Sequence, residues 1–237
     1  MNTLVLTAHG SRDARSAANV RAIARRVARM RVDIDVRIAF LEQNSPNLVD
    51  VLSRLPDTRQ AVVSPLLLAS AYHARVDIPK QIASAAIHGV RQADVLGEDD
   101  RLVSVLRERL AQCGVSDDDG LGVVVVAIGS SDHAANARTA TVAAKLAMGT
   151  RWAAATTAFV TGPRPSVAEA VNQLRRRGAR RLAIAPWFLA PGLLPDRVQS
   201  YARAAGIAMA APLGAHRLVA ETVLDRYDQA LAGQAAA

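Results

Sequence analysis

The chain has 237 residues, of which 51% are hydrophobic and 21% are charged. This balance is typical of globular proteins and excludes the composition of a disordered chain. Its single cysteine, Cys113, excludes an intramolecular disulfide framework and cannot by itself hold an iron–sulfur cluster or a structural zinc. The N-terminus lacks the basic and long apolar segments of a signal peptide, and no apolar run reaches membrane-spanning length. We therefore expect a protein of the reducing cytoplasm, with no membrane partner.

The formal net charge of +8 favours anionic partners. The densest basic stretch, residues 175–181, lies where a predicted helix ends, and cations at that end complement the helix dipole. Aromatic residues make up only 3% of the chain and offer few stacking surfaces to single-stranded nucleic acid. We therefore expect a small anionic partner and no nucleic acid.

The first half of the chain alternates strand and helix patterns. Residues 4–6 predict a short buried strand, and apolar residues of 20–27 then recur at the spacing of one helix face. Residues 32–40 alternate apolar and polar side chains, which predicts a strand near a sheet edge. The later predicted elements are a helix over 47–55, a buried strand over 61–68, a helix from 78, a strand over 90–96 and a helix from 101. This order predicts an α/β fold with a parallel sheet covered by helices.

The second half repeats the first. Residues 123–130 align with residues 4–11 at an offset of 119, and the same offset pairs Phe40 with Phe159. The break falls in residues 112–122, where residues 116–120 form a turn-like linker. The sequence therefore predicts two duplicated lobes, residues 1–115 and 121–237, each a parallel β-sheet flanked by helices, with a cleft between them.

The two halves differ where chemistry is expected. His9, Glu42 and His73 each follow a predicted strand of the first half, and ligands of open α/β sheets bind beyond the carboxyl ends of strands. Their counterparts in the second half are Ile128, Thr161 and Leu194, respectively. This asymmetry predicts one site, in the first lobe.

These three side chains suit metal chemistry. Neutral imidazole binds iron, cobalt and nickel and also accepts protons. A neighbouring carboxylate favours a divalent ion and accepts the protons that leave a ligand as the metal enters. Two histidines and one carboxylate also match the facial triad of non-haem iron oxygenases. The residue types alone leave both metal insertion and oxygenase chemistry open.

Four stretches of this sequence resemble a known family. They are residues 8–13, residues 40–42, residues 65–68 running to His73, and residues 76–79. There the chain is similar to the sirohydrochlorin chelatases of the class II chelatase superfamily, in their long two-lobed form, and the resemblance covers essentially the whole chain. It implies that His9 and His73 bind the metal and the tetrapyrrole, and that Glu42 lies close by. We carry over these three residues as catalytic residues and as metal ligands.

Further residues near the motifs are expected to hold the substrate. The family's substrate bears many carboxylates, which basic side chains bind well. The predicted substrate-binding residues are Ser11, Arg12, Arg15, Tyr72, Arg75 and Lys80. For Tyr72, packing is a slightly favoured alternative to stacking on the macrocycle. Asp77 is predicted to cap the helix that contains Pro79. Ala71 stands where many family members have glycine and is expected to reshape the loop before His73.

The resemblance implies insertion of ferrous iron into sirohydrochlorin to give sirohaem. The absence of a histidine-rich tract and of a cysteine cluster favours iron over cobalt. Two alternatives remain: cobalt insertion for cobalamin synthesis, and a non-catalytic carrier of metal or tetrapyrrole. We expect no organic cofactor, because Fe2+ or Co2+ enters as a substrate without a redox step. Other enzymes of tetrapyrrole synthesis are candidate partners.

Overall fold

The computed structural model describes residues 2–56, 60–115 and 117–233. Met1 and residues 234–237, at the ends of the predicted lobes, lie outside the described residues, as does Ser116 of the predicted linker. The chain packs as two compact units. One combines the chain up to Gly97 with the chain from Ala215 onward, and the other is Glu98–Gly214.

The sheet of the first unit has four parallel strands in the order β2-β1-β3-β4. The strands are β1 (Thr3–Ala8), β2 (Asp35–Phe40), β3 (Ala61–Pro65) and β4 (Val90–Gln92). The predicted strands are confirmed, and β2 lies at an edge as expected. Three of the predicted ranges are too long. β3 ends at Pro65, which has no N–H to donate to a ladder, and Val32 is 83% exposed in the turn before β2.

Helices cover both faces of this sheet. They are α1 (Ala14–Met30), α2 (Leu48–Leu52), a π-helical turn (His73–Asp77), α3 (Ile78–Ser84) and the C-terminal helix α8 (Arg217–Ala232). Helices α2 and α3 pack on the face that carries Val5, Ala39 and Val63. Helix α1 packs against β1, β2 and α8. The predicted helix face of α1 is confirmed, because Val20, Ile23 and Val27 are buried.

The second unit repeats this architecture with the strand order β6-β5-β7-β8. Its elements are α4 (Asp100–Gln112), β5 (Leu121–Ala127), α5 (His133–Ala147), β6 (Ala154–Phe159), α6 (Val167–Arg176), β7 (Arg181–Pro186), α7 (Leu193–Ala204) and β8 (Ala208–Met209). The repeat extends to loop hydrogen bonds. The N–H of Phe40 donates to the Pro46 carbonyl at 3.0 Å, and the N–H of Phe159 donates to the Pro165 carbonyl at 3.0 Å. The duplicated parallel sheets flanked by helices are as the sequence predicted.

Two helices are grouped differently from the order of the sequence. Helix α4 follows β4 of the first unit but packs against α5 and β7 of the second. Helix α8 follows the second unit in sequence but packs against α1 and β3 of the first. The predicted lobes, residues 1–115 and 121–237, follow the sequence repeat, whereas packing divides the chain after Gly97 and after Gly214.

The strand order of the first unit predicts where a ligand binds. From β1 the chain moves to β2 on one side and then to β3 on the other, so the connections diverge between β1 and β3. In open α/β sheets this switch point, beyond the carboxyl ends of the strands, is the usual binding crevice. His9 follows β1 directly and His73 lies beyond the end of β3. In the described parts of the chain, no helix is long and apolar enough to cross a membrane.

Candidate active site

The segments after β1 and β2 stay paired beyond the sheet. The N–H of Leu41 donates to the Ala8 carbonyl at 2.9 Å, and the N–H of Glu42 donates to the His9 carbonyl at 3.1 Å. Gly10 makes this approach possible: it has φ +102°, and a Cβ there would lie 1.9 Å from the Glu42 carbonyl oxygen. The strand ends therefore hold the His9 and Glu42 backbones side by side.

The His9 and Glu42 side chains are in contact. His9 Nε2 lies 3.0 Å from Glu42 Oε1, and both side chains are partly exposed. Burial, followed by the neighbouring His73, lowers the pKa of His9 below its ordinary value, although the Glu42 and Asp77 carboxylates oppose this shift. His9 is therefore neutral at neutral pH. Its Nδ1 is buried and has no hydrogen-bond partner among the described residues.

The π-helical turn brings His73 to His9. The two imidazole rings are 4.3 Å apart between centroids and inclined by 39°. The structure thus joins the three predicted residues in a chain of contacts, from Glu42 to His9 to His73. Among the described residues, however, no group of three or more histidine, cysteine, aspartate or glutamate side chains is arranged to hold a metal ion. The roles of these three as ligands stay predictions.

Asp77 has a different contact from the one predicted. It precedes α3, but its side chain makes no capping hydrogen bond. Instead Asp77 Oδ2 accepts a hydrogen bond from His73 Nδ1 at 2.6 Å. The capping prediction is therefore wrong, because the imidazole one turn earlier takes the carboxylate that would otherwise cap the helix. The spacing of four residues between His73 and Asp77 is a sequence signal that could have indicated this pair.

The loop after His9 is built on its own hydrogen bonds. The Ser11 N–H donates to Asn44 Oδ1 at 2.7 Å, and the Ser11 hydroxyl accepts from the Asp13 N–H at 3.1 Å. Arg15 Nη2 binds Asp13 Oδ2 at 2.5 Å, so this guanidinium already has a carboxylate partner. The Arg12 side chain is exposed and hydrogen-bonds to none of the described residues. Asn44, which orders the Ser11 backbone, was missed by the sequence analysis.

The predicted substrate residues around His73 lie on the surface. Tyr72 is 60% exposed and stands edge-on to His73, with ring centroids 6.2 Å apart, so the packing favoured from sequence is wrong. Arg75 Nη2 donates to the Ser70 carbonyl at 3.0 Å, and the Lys80 side chain is exposed. Ala71 is not among the described non-glycine residues with positive φ. The expected effect of alanine on the shape of this loop stays a prediction.

The second unit keeps the loop geometry but lacks ionisable side chains at the positions that correspond to His9 and Glu42. Gly129 has φ +94°, and a Cβ there would lie 1.8 Å from the Gly162 carbonyl oxygen. Ile128, the counterpart of His9, is 47% exposed. The Thr161 hydroxyl, at the place of Glu42, donates to the Ile128 carbonyl at 2.8 Å. The scaffold is thus duplicated, while the positions of His9 and Glu42 are occupied by Ile128 and Thr161 in the second unit.

Comparison with known proteins assigns the chain to a family. The CbiX family profile matches residues 3–113 and 122–230, in agreement with the internal repeat. A sirohydrochlorin ferrochelatase of Priestia megaterium is 27% identical over 208 residues, which cover 84% of this chain and 77% of that protein. A sirohydrochlorin cobaltochelatase of the same organism is 26% identical over 212 residues, which cover 84% of this chain and 68% of that protein.

A solved structure confirms the fold. The structure of SirB from Bacillus subtilis with Fe3+ superposes with a TM-score of 0.83 at 22% identity, covering 100% of this chain and 98% of that one. Both the family profile and this likeness span the two repeats rather than one of them. The chain therefore belongs to the CbiX family, and its relatives include sirohydrochlorin chelatases.

Proposed function

We propose that this protein is a class II chelatase that inserts ferrous iron into sirohydrochlorin, giving sirohaem. The observation that supports this most strongly is the contact of His9 with Glu42 at 3.0 Å and with the His73 ring at 4.3 Å, at the carboxyl ends of three neighbouring strands. The second unit has no such group at the equivalent positions. Membership in the CbiX family and the similarity to a sirohydrochlorin ferrochelatase support the choice of substrate.

The chemistry requires a metal ligand and a proton acceptor. When a divalent ion enters the macrocycle, the pyrrole N–H protons leave, and neither metal nor ring changes oxidation state. No organic cofactor is needed, and the metal is a substrate. We assign metal delivery to His9 and His73 and proton acceptance to Glu42. The Glu42 carboxylate lies 3.0 Å from His9 Nε2, so the assigned proton acceptor is next to an assigned metal ligand.

The macrocycle carboxylates are assigned to the basic loops around these residues. Arg12 and Lys80 are exposed, and neither side chain hydrogen-bonds within the described parts of the chain. Arg15 and Arg75 are each held by a local oxygen, which pre-orients their guanidinium groups. Tyr72 offers an exposed ring next to His73 for contact with the macrocycle. Ser11 contributes a hydroxyl on the same loop as Arg12.

Cobalt insertion for cobalamin synthesis is the second candidate. Relatives named ferrochelatase and cobaltochelatase match at nearly equal identity, 27% and 26%. Imidazole and carboxylate ligands bind both ions, so the ligand types do not choose between them. The lack of a histidine-rich or cysteine-rich tract in the sequence supports iron. We place the reaction in the cytoplasm, with other enzymes of tetrapyrrole synthesis as partners.

The decisive experiment follows sirohydrochlorin absorbance anaerobically with Fe2+ or Co2+. The wild type should convert the substrate faster than the protein-free reaction, and His9→Ala/His73→Ala should lose this acceleration. The double variant His88→Ala/His133→Ala, which removes two exposed imidazoles, should retain it. The ratio of the two metal rates chooses between iron and cobalt. A wild-type rate equal to the protein-free rate would contradict the chelatase proposal.

Replacing Glu42 separates a chelatase from a carrier. Glu42→Gln should lower kcat by about 10²-fold or more, because a general base typically contributes that much. Its Kd for sirohydrochlorin, measured by fluorescence quenching, should stay near the wild-type value. Glu221→Gln is the matched control, since Glu221 pairs with Arg217 on α8. If wild type and Glu42→Gln bind equally and neither turns over, the protein is a carrier.

A further inference from the structure

The two histidines of the candidate site contact carboxylates through different ring nitrogens. His73 uses Nδ1 to donate to the Asp77 carboxylate at 2.6 Å. His9 uses Nε2 to contact Glu42 at 3.0 Å, and its Nδ1 is buried. Because a carboxylate only accepts hydrogen bonds, the proton of neutral His73 is on Nδ1 and its lone pair is on Nε2.

We infer that Asp77 is a positioning residue that holds His73 in the tautomer whose Nε2 receives the metal substrate. A carboxylate bonded to the second nitrogen of an imidazole fixes both the tautomer and the ring orientation and makes the ligating nitrogen more basic. This inference rests on the proposed function, because it assumes that His73 binds the metal. It adds a residue that the sequence analysis had left out of the site.

The backbone of the π-helical turn supports this role. The Ile78 N–H donates to the His73 carbonyl, five residues earlier. Pro79 has no N–H for the next carbonyl, that of Ala74, which instead accepts from Gln92 Nε2 at 2.7 Å. Strand β4 therefore anchors the turn through a side chain. Single π-helical turns of this kind are frequent at functional sites.

The internal repeat gives an independent argument. The alignment that pairs His73 with Leu194 also pairs Asp77 with Val198, which is buried in the second unit. The carboxylate is thus absent where the imidazole is absent. An ordinary surface ion pair contributes little to stability and would not need to vary with a metal site. The joint replacement of both residues favours a coupled role.

The tautomer of His73 tests the inference directly. Long-range proton–nitrogen NMR of the metal-free protein, at a pH where the imidazoles are neutral, should show Nδ1-protonated His73, with its signals assigned by their loss in His73→Ala. Asp77→Ala should shift His73 towards the Nε2-protonated form. Asp77→Asn, whose amide oxygen still accepts a hydrogen bond, should shift it less. Asp33→Asn, on the exposed segment before β2, should not change it. An unchanged His73 tautomer in Asp77→Ala would overturn the inference.

Metal binding provides the second readout. The Kd for Co2+ alone, followed by its visible absorption, should rise by about 10- to 100-fold in Asp77→Ala. In the His73→Ala background, the same substitution should add nothing, since Asp77 acts through His73. An additional loss there would instead identify Asp77 as a direct ligand. Catalysis should show a raised KM for metal and an unchanged KM for sirohydrochlorin. If Co2+ binding follows this pattern while no sirohydrochlorin is converted, the proposed function fails and the positioning role stands.

Discussion

Gly10 connects the two loops that contribute His9 and Glu42. Its φ of +102° is one that other residues rarely adopt, and a Cβ there would overlap the Glu42 carbonyl oxygen at 1.9 Å. Gly129 repeats both features in the second unit, with φ +94° and a distance of 1.8 Å to the Gly162 carbonyl oxygen. The two glycines therefore meet the same steric demand, but only Gly10 lies beside ionisable side chains.

Alanine at these two positions should separate stability from catalysis. Gly10→Ala and Gly129→Ala should each lower the free energy of unfolding by more than about 1 kcal/mol, because alanine must take a positive φ and push a carbonyl aside. Urea unfolding measures this loss. Turnover should be measured at a low temperature where both variants are folded, and expressed per folded molecule. Under these conditions only Gly10→Ala should reduce chelatase turnover, since it moves Glu42 away from His9. Equal turnover losses in the two variants would refute this view of Gly10.

The π-helical turn shows how an element depends on a residue outside it. Pro79 has no N–H to donate to the Ala74 carbonyl. Gln92 Nε2 donates to that carbonyl instead, at 2.7 Å. Gln81 has a similar role nearby, because its Nε2 donates to the Leu41 carbonyl at 3.2 Å. Two glutamines thus hold the backbone next to His73 and next to Glu42.

A restored backbone donor should compensate for the loss of the Gln92 hydrogen bond to the Ala74 carbonyl. Gln92→Met removes the donor to the Ala74 carbonyl and should lower the free energy of unfolding by about 1 kcal/mol, the usual net value of a hydrogen bond. Adding Pro79→Ala supplies an N–H five residues after Ala74 and should recover part of this loss. Chemical denaturation of the wild type and the two single and one double variants measures the coupling. Strictly additive effects of the two substitutions would contradict this account of the turn.

At the scale of the whole molecule, the C-terminal helix belongs to the unit that bears the candidate site. Helix α8 packs on α1 and β3, and its Tyr227 is only 1% exposed. The two tryptophans of the chain, Trp152 and Trp187, both belong to the second unit. Tryptophan fluorescence therefore follows the second unit, whereas far-UV circular dichroism follows both.

Truncating Tyr227 should therefore destabilise the first unit selectively. Tyr227→Ala should cost about 3–5 kcal/mol, as is usual for a large buried aromatic side chain. The thermal transition followed by circular dichroism should move further than the one followed by tryptophan fluorescence. Tyr201→Ala, on α7 of the second unit, should move the fluorescence transition instead. Identical shifts with both probes in both variants would show that the units unfold as one.

Some features of this protein follow from the sequence by itself. Strands β1 and β2, the helix face of α1 and the duplication were predicted because residue periodicity and self-similarity are local or linear properties. The meeting of His9, Glu42 and His73 was also predictable, since parallel strands place their carboxyl ends at one edge of a sheet. Their different counterparts in the second half pointed to a single site.

Only the tertiary structure decided the remainder. Asp77 was assigned to capping because its position before a helical proline is an ordinary start signal, and the competing His73 imidazole prevailed through its closer geometry. The exposure of Tyr72 depends on which side of the π-helical turn faces the sheet. The type of a side chain does not by itself determine this orientation. The grouping of α4 with the second unit and of α8 with the first is a non-local choice between two equivalent helices. Each has a buried apolar face, and only packing of the complete chain assigns it to a unit.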